Sequence, residues 1–174
     1  MSKESDGQQA QFSPVRTAVL TVSDTRTEET DKSGKFLVEC LESAGHQLLN
    51  KQIVKDDVYQ LRAVVSAYIA DEQIQAVLVT GGTGFTHRDN TVEALTPLFD
   101  KHIEGFGEVF RYLSLQEIGS STVQSRAFAG LANDTIVFCM PGSPNACRTA
   151  WEGIIAQQLD SRHKPCNFVD KLKD

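Results

Sequence analysis

The most informative stretch of the chain is Ala76-Val-Leu-Val-Thr80-Gly-Gly-Thr-Gly84. Its first five residues form an apolar run that is typical of a strand buried on both faces of a sheet. The three glycines that follow let the backbone approach a ligand closely and direct its N–H groups at anions. The alternative is a tight turn that only connects a strand to a helix, but the polar residues Thr83, Arg88, Asp89 and Thr91 count against it. We therefore predict a phosphate-binding loop.

This loop matches neither of two common phosphate-binding motifs. A Walker A loop needs a second glycine after four residues, followed by Lys-Ser/Thr, whereas the fifth residue after Gly81 is Thr86 and no lysine is nearby. The dinucleotide fingerprint also fails, because its last glycine would fall on His87. The pattern thus indicates phosphate binding without assigning the loop to either class.

Strand and helix patterns alternate along the rest of the chain. Further strands are predicted over Arg16–Val22, His46–Val54 and Thr135–Met140. Helices are predicted from Asp31 to Gly45, from Asp56 or Asp57 to Ile69, over Asn90–Asp100 despite Pro97, around Phe110–Ile118, and from the cap Ser143-Pro144 onward. This alternation implies parallel strands joined by right-handed crossovers. The predicted fold class is α/β, a three-layer α/β/α sandwich with a mostly parallel central sheet.

Length and composition indicate one domain. The chain has 174 residues, of which 40% are hydrophobic and 23% charged, close to the averages for a globular protein. Residues 1–14 are predicted to form a flexible N-terminal arm, because they are polar and poor in apolar side chains that could offset the entropy of ordering. Residues 15–174 are predicted to form a single domain with a polar C-terminal tail from Ser161.

The charge balance excludes some kinds of partner. The 17 Lys and Arg residues against 23 Asp and Glu residues give a net charge of −6, which argues against a broad basic surface for nucleic acid or anionic lipid. The four cysteines form no C-x-x-C pair, and no histidine lies near them at zinc-finger spacing, so no metal–thiolate site is predicted. No stretch approaches the roughly 20 apolar residues of a membrane span. We expect a cytoplasmic protein without membrane or nucleic-acid partners.

Ligands of an open parallel sheet bind beyond the carboxyl ends of its strands. Three strand-to-helix junctions carry suitable chemistry, and they could form one crevice: residues 23–26, 80–91 and 141–144. The candidate substrate- or phosphate-binding residues at these junctions are Ser23, Asp24, Thr80, Gly81, Gly82, Thr83, Gly84, Arg88, Thr91 and Ser143.

Several of these residues fit two interpretations. Arg88 and Asp89 are either a surface ion pair or a phosphate clamp beside a cation-binding carboxylate. Asp56 either caps the following helix or shares a divalent cation with Asp89. Asp24 is either a solvated turn residue or part of the site, and Ser143 is either only a helix cap or also an anion ligand.

The ordered combination of motifs resembles the MoaB/Mog family of molybdenum cofactor biosynthesis proteins. The motifs are Ser23-Asp24-x-Arg26, Thr80-Gly-Gly-Thr-Gly84 with Arg88-Asp89-x-Thr91, Glu104-Gly-Phe-Gly-Glu108 with Arg111, and Pro141-Gly-Ser-Pro144. The resemblance covers residues 15 to 165. The segments Cys147-Arg-Thr-Ala-Trp-Glu152 and Arg162-x-x-Pro-Cys-Asn-Phe168 look most like the bacterial MoaB branch.

The resemblance implies an α/β/α fold that assembles as a homotrimer or homohexamer, and binding of molybdopterin together with other proteins of the pathway. In catalytic members, ATP and Mg²⁺ convert molybdopterin to adenylyl-molybdopterin and pyrophosphate. The family's two important aspartates fall on Asp56 and Asp89, which would be catalytic and hold Mg²⁺. The glycine loop would cradle phosphate, Arg88 would offset charge, and Glu108 of the third motif would join the substrate-binding residues.

One departure keeps a second function open. Catalytic members typically show Pro-Asp-Glu after the second strand, whereas this chain has Val54-Lys-Asp-Asp57. The alternative is a non-catalytic protein that binds molybdopterin while a Mog paralogue performs the adenylylation. A protein of another class that has only kept the fold is the third hypothesis.

Overall fold

The strand that precedes the glycines lies inside a six-stranded sheet in the computed structural model, which describes residues 11–174. In chain order, the strands are β1 (Arg16–Val22), β2 (Gln47–Val54), β3 (Ala76–Thr80), β4 (Lys101–His102), β5 (Phe128–Ala132) and β6 (Thr135–Met140). Across the sheet, the order is β2-β1-β3-β6-β5-β4. The first four strands of that order run parallel, and β5 and β4 complete one edge in antiparallel pairings. The predicted mostly parallel sheet is confirmed.

Five main helices cover the two faces of this sheet. They are α1 (Lys32–Ser43), α2 (Val58–Ala70), α3 (Thr91–Leu95), α4 (Glu104–Ile118) and α5 (Pro144–Ala150). The last of them continues through a π-helical turn at Trp151–Ile155 into a final α-helical turn at Ala156–Gln158. No helix within residues 11–174 has the length and apolar character needed to cross a membrane.

The core consists of two clusters on opposite faces of the sheet. Leu78 of β3 packs in the cluster that contains apolar residues of α1, α4 and α5, including Leu37 and Phe110. Its neighbours Val77 and Val79 pack in the cluster formed with α2 and α3. Since successive side chains of a strand point to opposite faces, this division places one helical layer on each side of β3. The predicted three-layer sandwich is confirmed.

The antiparallel edge was not predicted from the sequence. The two residues between β5 and β6, Asn133 and Asp134, have φ angles of 47° and 55°, which suit the tight turn of a β-hairpin. β5 also requires Gly130, because a Cβ there would lie 2.2 Å from the ring of Phe99. Because β5 consists largely of small residues and a glycine, its sequence lacks the clear apolar alternation by which a strand is usually recognised.

The helix predicted over Asn90–Asp100 is shorter than expected. Its α-helical part ends at Leu95 and is followed by a 3₁₀ turn, Thr96–Leu98, that contains Pro97. Proline has no N–H for an α-helical hydrogen bond, and its ring crowds the preceding turn. The chain then leaves the helix and enters the short edge strand β4.

Part of the predicted N-terminal arm lies within the described residues. Phe12 packs against His46 with ring centroids 5.4 Å apart, and the guanidinium of Arg162 lies 5.0 Å from the Phe12 ring. The N–H of Val15 donates to Nδ1 of His46 over 3.1 Å. Residues 1–10 lie outside the described residues, so the division into an arm and a single domain remains a prediction.

The buried position of His46 predicts that the stability of the protein depends on pH. Burial lowers the pKa of His46, and the charge of Asp160 opposes this shift. The Val15 N–H bond fits the neutral form, because only an unprotonated Nδ1 can accept it. The unfolded chain binds a proton near the ordinary value of 6.5, whereas the folded chain does so only at lower pH. The free energy of unfolding should thus decrease between about pH 7.5 and about pH 5.5 through this residue, by at most about 1.4 kcal/mol.

Urea unfolding of the wild type and of His46→Gln at both pH values measures this contribution. The substitution should reduce the loss of stability on acidification, whereas His102→Gln, a change at an exposed histidine, should not. An equal loss in the wild type and in His46→Gln would contradict the assignment.

Candidate functional site

A cleft of about 440 Å³ lies at the carboxyl edge of the parallel strands. The segments that follow β1, β3 and β6 all line it, through Ser23, the glycine loop Gly81–Gly84, and Pro141–Ser143. Phe110 and Ser114 of α4 form part of its wall. The three junctions with suitable chemistry therefore meet in one place, which we call the main cleft.

The first two glycines of the loop have conformations that other residues rarely adopt. Gly81 and Gly82 have φ angles of 109° and 68°. A Cβ on Gly81 would lie 2.2 Å from the carbonyl oxygen of Val22, so glycine lets the loop pass directly over the end of β1. A Cβ on Gly82 would lie 2.2 Å from Thr91 Oγ1 and 2.6 Å from Asp56 Oδ2. The close approach of these two glycines is therefore a steric requirement.

Asp56 lies just after β2, with only 6% of its surface exposed. The Asn90 N–H donates to its Oδ1 over 2.9 Å, and its own N–H donates to Asp24 Oδ1 over 3.1 Å. Burial raises the pKa of Asp56, and the charges of Asp89 and Asp24 raise it further, against the hydrogen bonds from Asn90. A cation beside this carboxylate would favour its ionised form.

Asp89 lies at the other end of the glycine loop. Its Oδ2 accepts the Thr86 N–H over 2.8 Å and the Thr86 hydroxyl over 2.7 Å. Although burial opposes ionisation, these bonds, the Gly84 N–H and the charge of Arg126 together lower the pKa of Asp89. The pKa of Asp89 is therefore shifted in the direction opposite to that of Asp56.

Arg88 pairs with Asp24. Its Nε and Nη2 atoms lie 2.9 Å and 2.7 Å from Asp24 Oδ2, and no ion pair between Arg88 and Asp89 occurs among residues 11–174. This pair lowers the pKa of Asp24 and connects the segment after β1 to the segment after the glycine loop. Of the two interpretations of Arg88 and Asp89, a mutual ion pair is therefore wrong.

The predicted site residues other than Glu108 divide into three groups by their positions. Those that line the main cleft are Ser23, Thr80, Gly81, Gly82, Thr83, Gly84, Asp89 and Ser143. Asp56 and Thr91 do not line it but contact its loop through Gly82, and Asp24 and Arg88 are bonded to each other beside Asp56. Thr91 also donates its hydroxyl to the Gly81 carbonyl over 2.8 Å, which supports the loop.

Glu108 does not lie with the other predicted site residues. It lines a separate groove, here called the α4 groove, together with His102, Glu104 and Arg111. The reason is the helical period: Phe110 and Ser114 face the main cleft, whereas Glu104, Glu108 and Arg111 lie on another face of α4.

Sequence reasoning missed two residues that bear on the site. Arg126 donates from Nε and Nη2 to the Gly84 carbonyl over 2.9 Å and 2.6 Å, although 42 positions separate the two residues. Ser125 lines the main cleft, and its buried Oγ has no hydrogen-bond partner among the described residues. Neither residue belongs to a motif, because each reaches the site only through the fold.

No group of three or more His, Cys, Asp or Glu side chains in the described part of the chain is arranged to hold a metal ion. Asp56 and Asp89 contact different glycines of the loop, Gly82 and Gly84. Two carboxylates supply only part of the six oxygen ligands that Mg²⁺ requires, and the remaining ligands would come from phosphate and water.

Fold and site together define a three-layer α/β protein with an anion-binding glycine loop at the carboxyl edge of its sheet. The family model described as "Probable molybdopterin binding domain" matches residues 18–161. The chain belongs to this family, and it is a molybdenum cofactor biosynthesis protein of the MoaB/Mog type.

Its relatives include molybdenum cofactor biosynthesis protein B of Escherichia coli K12, which is 59% identical over 94% of this chain and 96% of that protein. The protein of the same name from Bacillus subtilis strain 168 is 52% identical over 83% of this chain and 86% of its own. A crystal structure of molybdenum cofactor biosynthesis protein B superposes with a TM-score of 0.82 at 49% identity, over 84% of this chain and 92% of that one.

The geometry at Gly82 predicts a strong effect of one methyl group. Gly82→Ala should lower the free energy of unfolding by at least about 2 kcal/mol, because its φ is positive and its Cβ would overlap Asp56 and Thr91. Gly105→Ala is the matched control, since nothing lies within 4 Å of its Cβ. The control should leave stability unchanged or raise it by up to about 1 kcal/mol, as alanine does in helices.

Chemical denaturation of both variants measures the difference. Equal stabilities of Gly82→Ala and Gly105→Ala would show that the loop does not need the close approach described above.

Proposed function

We propose that this protein adenylylates molybdopterin with Mg-ATP, forming adenylyl-molybdopterin and pyrophosphate. The observation that carries the proposal is the glycine loop with a carboxylate at each end, Asp56 against Gly82 and Asp89 against Gly84. This arrangement lies beside a cleft large enough for a small ligand. Membership of the molybdopterin-binding family supports the identity of the acceptor substrate.

In the proposed reaction, a terminal phosphate oxygen of molybdopterin attacks the α-phosphorus of ATP. The new P–O bond joins the pterin phosphate to AMP, and the bond between the α-phosphorus and the bridging oxygen breaks to release pyrophosphate. A phosphate monoester is largely ionised at neutral pH, so no general base has to remove a proton. The main task of the protein is to bring two anions together in line.

The chain offers several groups for this task. N–H groups of Gly81–Gly84 would bind phosphate oxygens, and Arg88 would exchange part of its contact with Asp24 for a phosphate. Ser143 caps α5 by accepting the Ala146 N–H over 3.1 Å and also lines the main cleft. In the proposed complex, Ser143 keeps its capping role and positions the backbone of Pro141–Ser143 beside the ligand.

The two aspartates fit a role as ligands of Mg²⁺. Carboxylate oxygens are among its preferred ligands, and Asp56 and Asp89 each keep lone pairs beyond the hydrogen bonds they accept. The raised pKa of Asp56, caused by burial and by neighbouring acids, would return towards its usual range beside a cation. Mg²⁺ bound with ATP would neutralise part of the triphosphate charge.

A second candidate function is molybdopterin binding without catalysis. Its specific support is Asp57, which stands where catalytic relatives carry the glutamate of Pro-Asp-Glu. In this structure, Asp57 caps α2 by accepting the N–H groups of Tyr59 and Gln60 over 3.0 Å and 2.9 Å. Because its carboxylate accepts these two backbone N–H groups, Asp57 is less available to bind a ligand or a cation than a glutamate without such bonds.

The two candidates predict different results in an adenylylation assay. The protein is incubated with molybdopterin, ATP and Mg²⁺, and adenylyl-molybdopterin and pyrophosphate are measured. Asp56→Asn and Asp89→Asn should each reduce kcat/KM by about 100-fold, because each removes a charge from the cation site. Asp57→Asn is the matched control, since asparagine also caps helices and the rate should remain near that of the wild type.

Absence of product with the wild type would reject the catalytic proposal. In that case, molybdopterin binding that needs no ATP and is unchanged in Asp89→Asn would establish the binding function instead.

We further propose that the chain assembles as a homotrimer or homohexamer. The support is a set of exposed apolar side chains on α4 and in the turn after it: Val109, Tyr112, Leu115, Ile118 and Val123. Such a patch usually marks an interface.

Light scattering measures the assembly in solution. The wild type should have three or six times the mass of one chain, and Tyr112→Glu should shift it towards the monomer. Tyr59→Glu alters a tyrosine on α2 that is even more exposed, and it should not change the mass. A monomeric wild type would contradict the proposed assembly.

A further inference from the structure

Arg126 contacts both the glycine loop and the segment after it, through its side chain and its backbone. Besides its two bonds to the Gly84 carbonyl, its Nη2 donates to the Asp89 carbonyl over 3.2 Å, and its backbone N–H donates to the Thr83 carbonyl over 3.2 Å. Its guanidinium lies 5.0 Å from the Phe85 ring and pairs with Glu93. Arg126 itself does not line the main cleft.

Two of these carbonyls belong to peptide groups whose next residue, Asn90 or Gly84, lies against a site carboxylate. In a trans peptide, the C=O and the N–H point to opposite sides. The Asp89 carbonyl shares its peptide with the Asn90 N–H, which donates to Asp56 Oδ1 over 2.9 Å. The Thr83 carbonyl shares its peptide with the N–H of Gly84, and a Cβ on Gly84 would lie 2.8 Å from Asp89 Oδ2, so this peptide group packs against the Asp89 carboxylate. Arg126 thus holds the far side of both peptide groups.

Arg126 is itself fixed by the neighbouring helix. Arg111 of α4 donates from Nη1 to the Ala127 carbonyl over 3.0 Å and to the Ser125 carbonyl over 3.4 Å. On the other side, the ion pair with Glu93 connects Arg126 to α3. The planar guanidinium of arginine carries five N–H donors in a fixed arrangement, so it can bind two backbone carbonyls and Glu93 at the same time. A lysine ammonium cannot reproduce that geometry.

We propose that Arg126 is a positioning residue that sets the orientation of Asp56 and Asp89 through these two peptide groups. It touches neither substrate, and it binds the carbonyl oxygens of the two peptide groups rather than the two carboxylates. Its effect on turnover rests on the proposed adenylylation. Its effect on the loop does not, which allows the two proposals to be tested apart.

The first test measures turnover as a function of Mg²⁺ concentration. In Arg126→Lys and Arg126→Gln, the half-saturating Mg²⁺ concentration should rise about 10-fold or more, as expected when the partners of metal ligands are removed. The KM for molybdopterin should change by less than about twofold, because Arg126 lies outside the main cleft. Lysine should not rescue the effect, since it keeps the charge but loses the fork.

Arg62→Gln is the matched control. Arg62 also binds two backbone carbonyls of α3, those of Ala94 and Glu93, over 3.0 Å and 3.1 Å. If the Arg126 variants act only by lowering stability, Arg62→Gln should show the same effect. If Arg126 positions the carboxylates, the Mg²⁺ dependence should change in the Arg126 variants and not in Arg62→Gln. An unchanged Mg²⁺ dependence in both Arg126 variants would overturn the proposal.

The second test needs no activity. Amide hydrogen exchange of the full chain should be about 10-fold faster at Gly84 and Asn90 in Arg126→Lys than in the wild type, and unchanged at Leu78 in β3. If the wild type is inactive and exchange at these two amides is faster in Arg126→Lys, adenylylation is rejected but the positioning role is kept. Unchanged exchange at both amides would overturn the positioning role even in an active enzyme.

Discussion

The contact between the glycine loop and the ends of β1 and β2 is the constraint on which the site depends. Gly81 passes over the Val22 carbonyl, and Gly82 leaves no space for a side chain between itself and Asp56. Because both glycines have positive φ angles, the loop can turn tightly at this edge of the sheet. The carboxylate of Asp56, at the end of β2, therefore lies against the backbone of Gly82, at the end of β3.

The electrostatics of the site follow from that approach. Burial and two neighbouring acids raise the pKa of Asp56, whereas hydrogen bonds and the charge of Arg126 lower the pKa of Asp89. The chain carries a net charge of −6, so an anionic ligand has to be attracted by a small group of N–H donors, Arg88 and a cation. Some of the acidic excess is then part of the proposed cation site.

The parts of the structure that sequence could predict depend on local patterns. β3 and its glycines, the caps of α1 and α5, and the sandwich all follow from apolar period and turn chemistry. The parts that it could not predict depend on distant contacts. Arg126 reaches Gly84 across 42 positions, the β5–β6 hairpin has a weak apolar alternation, and Glu108 belongs to a familiar motif but faces a different groove. The order of the motifs thus predicts which residues are candidates for the site, whereas only the folded structure shows which of them lie in the same cleft.

The most direct test of the proposed site is a crystal structure of the protein with Mg²⁺ and an ATP analogue that resists cleavage at the α-phosphorus. The account predicts phosphate oxygens within hydrogen-bond distance of N–H groups of Gly81–Gly84, and a metal ion bound by Asp56 and Asp89. A nucleotide bound elsewhere, such as in the α4 groove, or a metal ion that contacts neither aspartate, would contradict it.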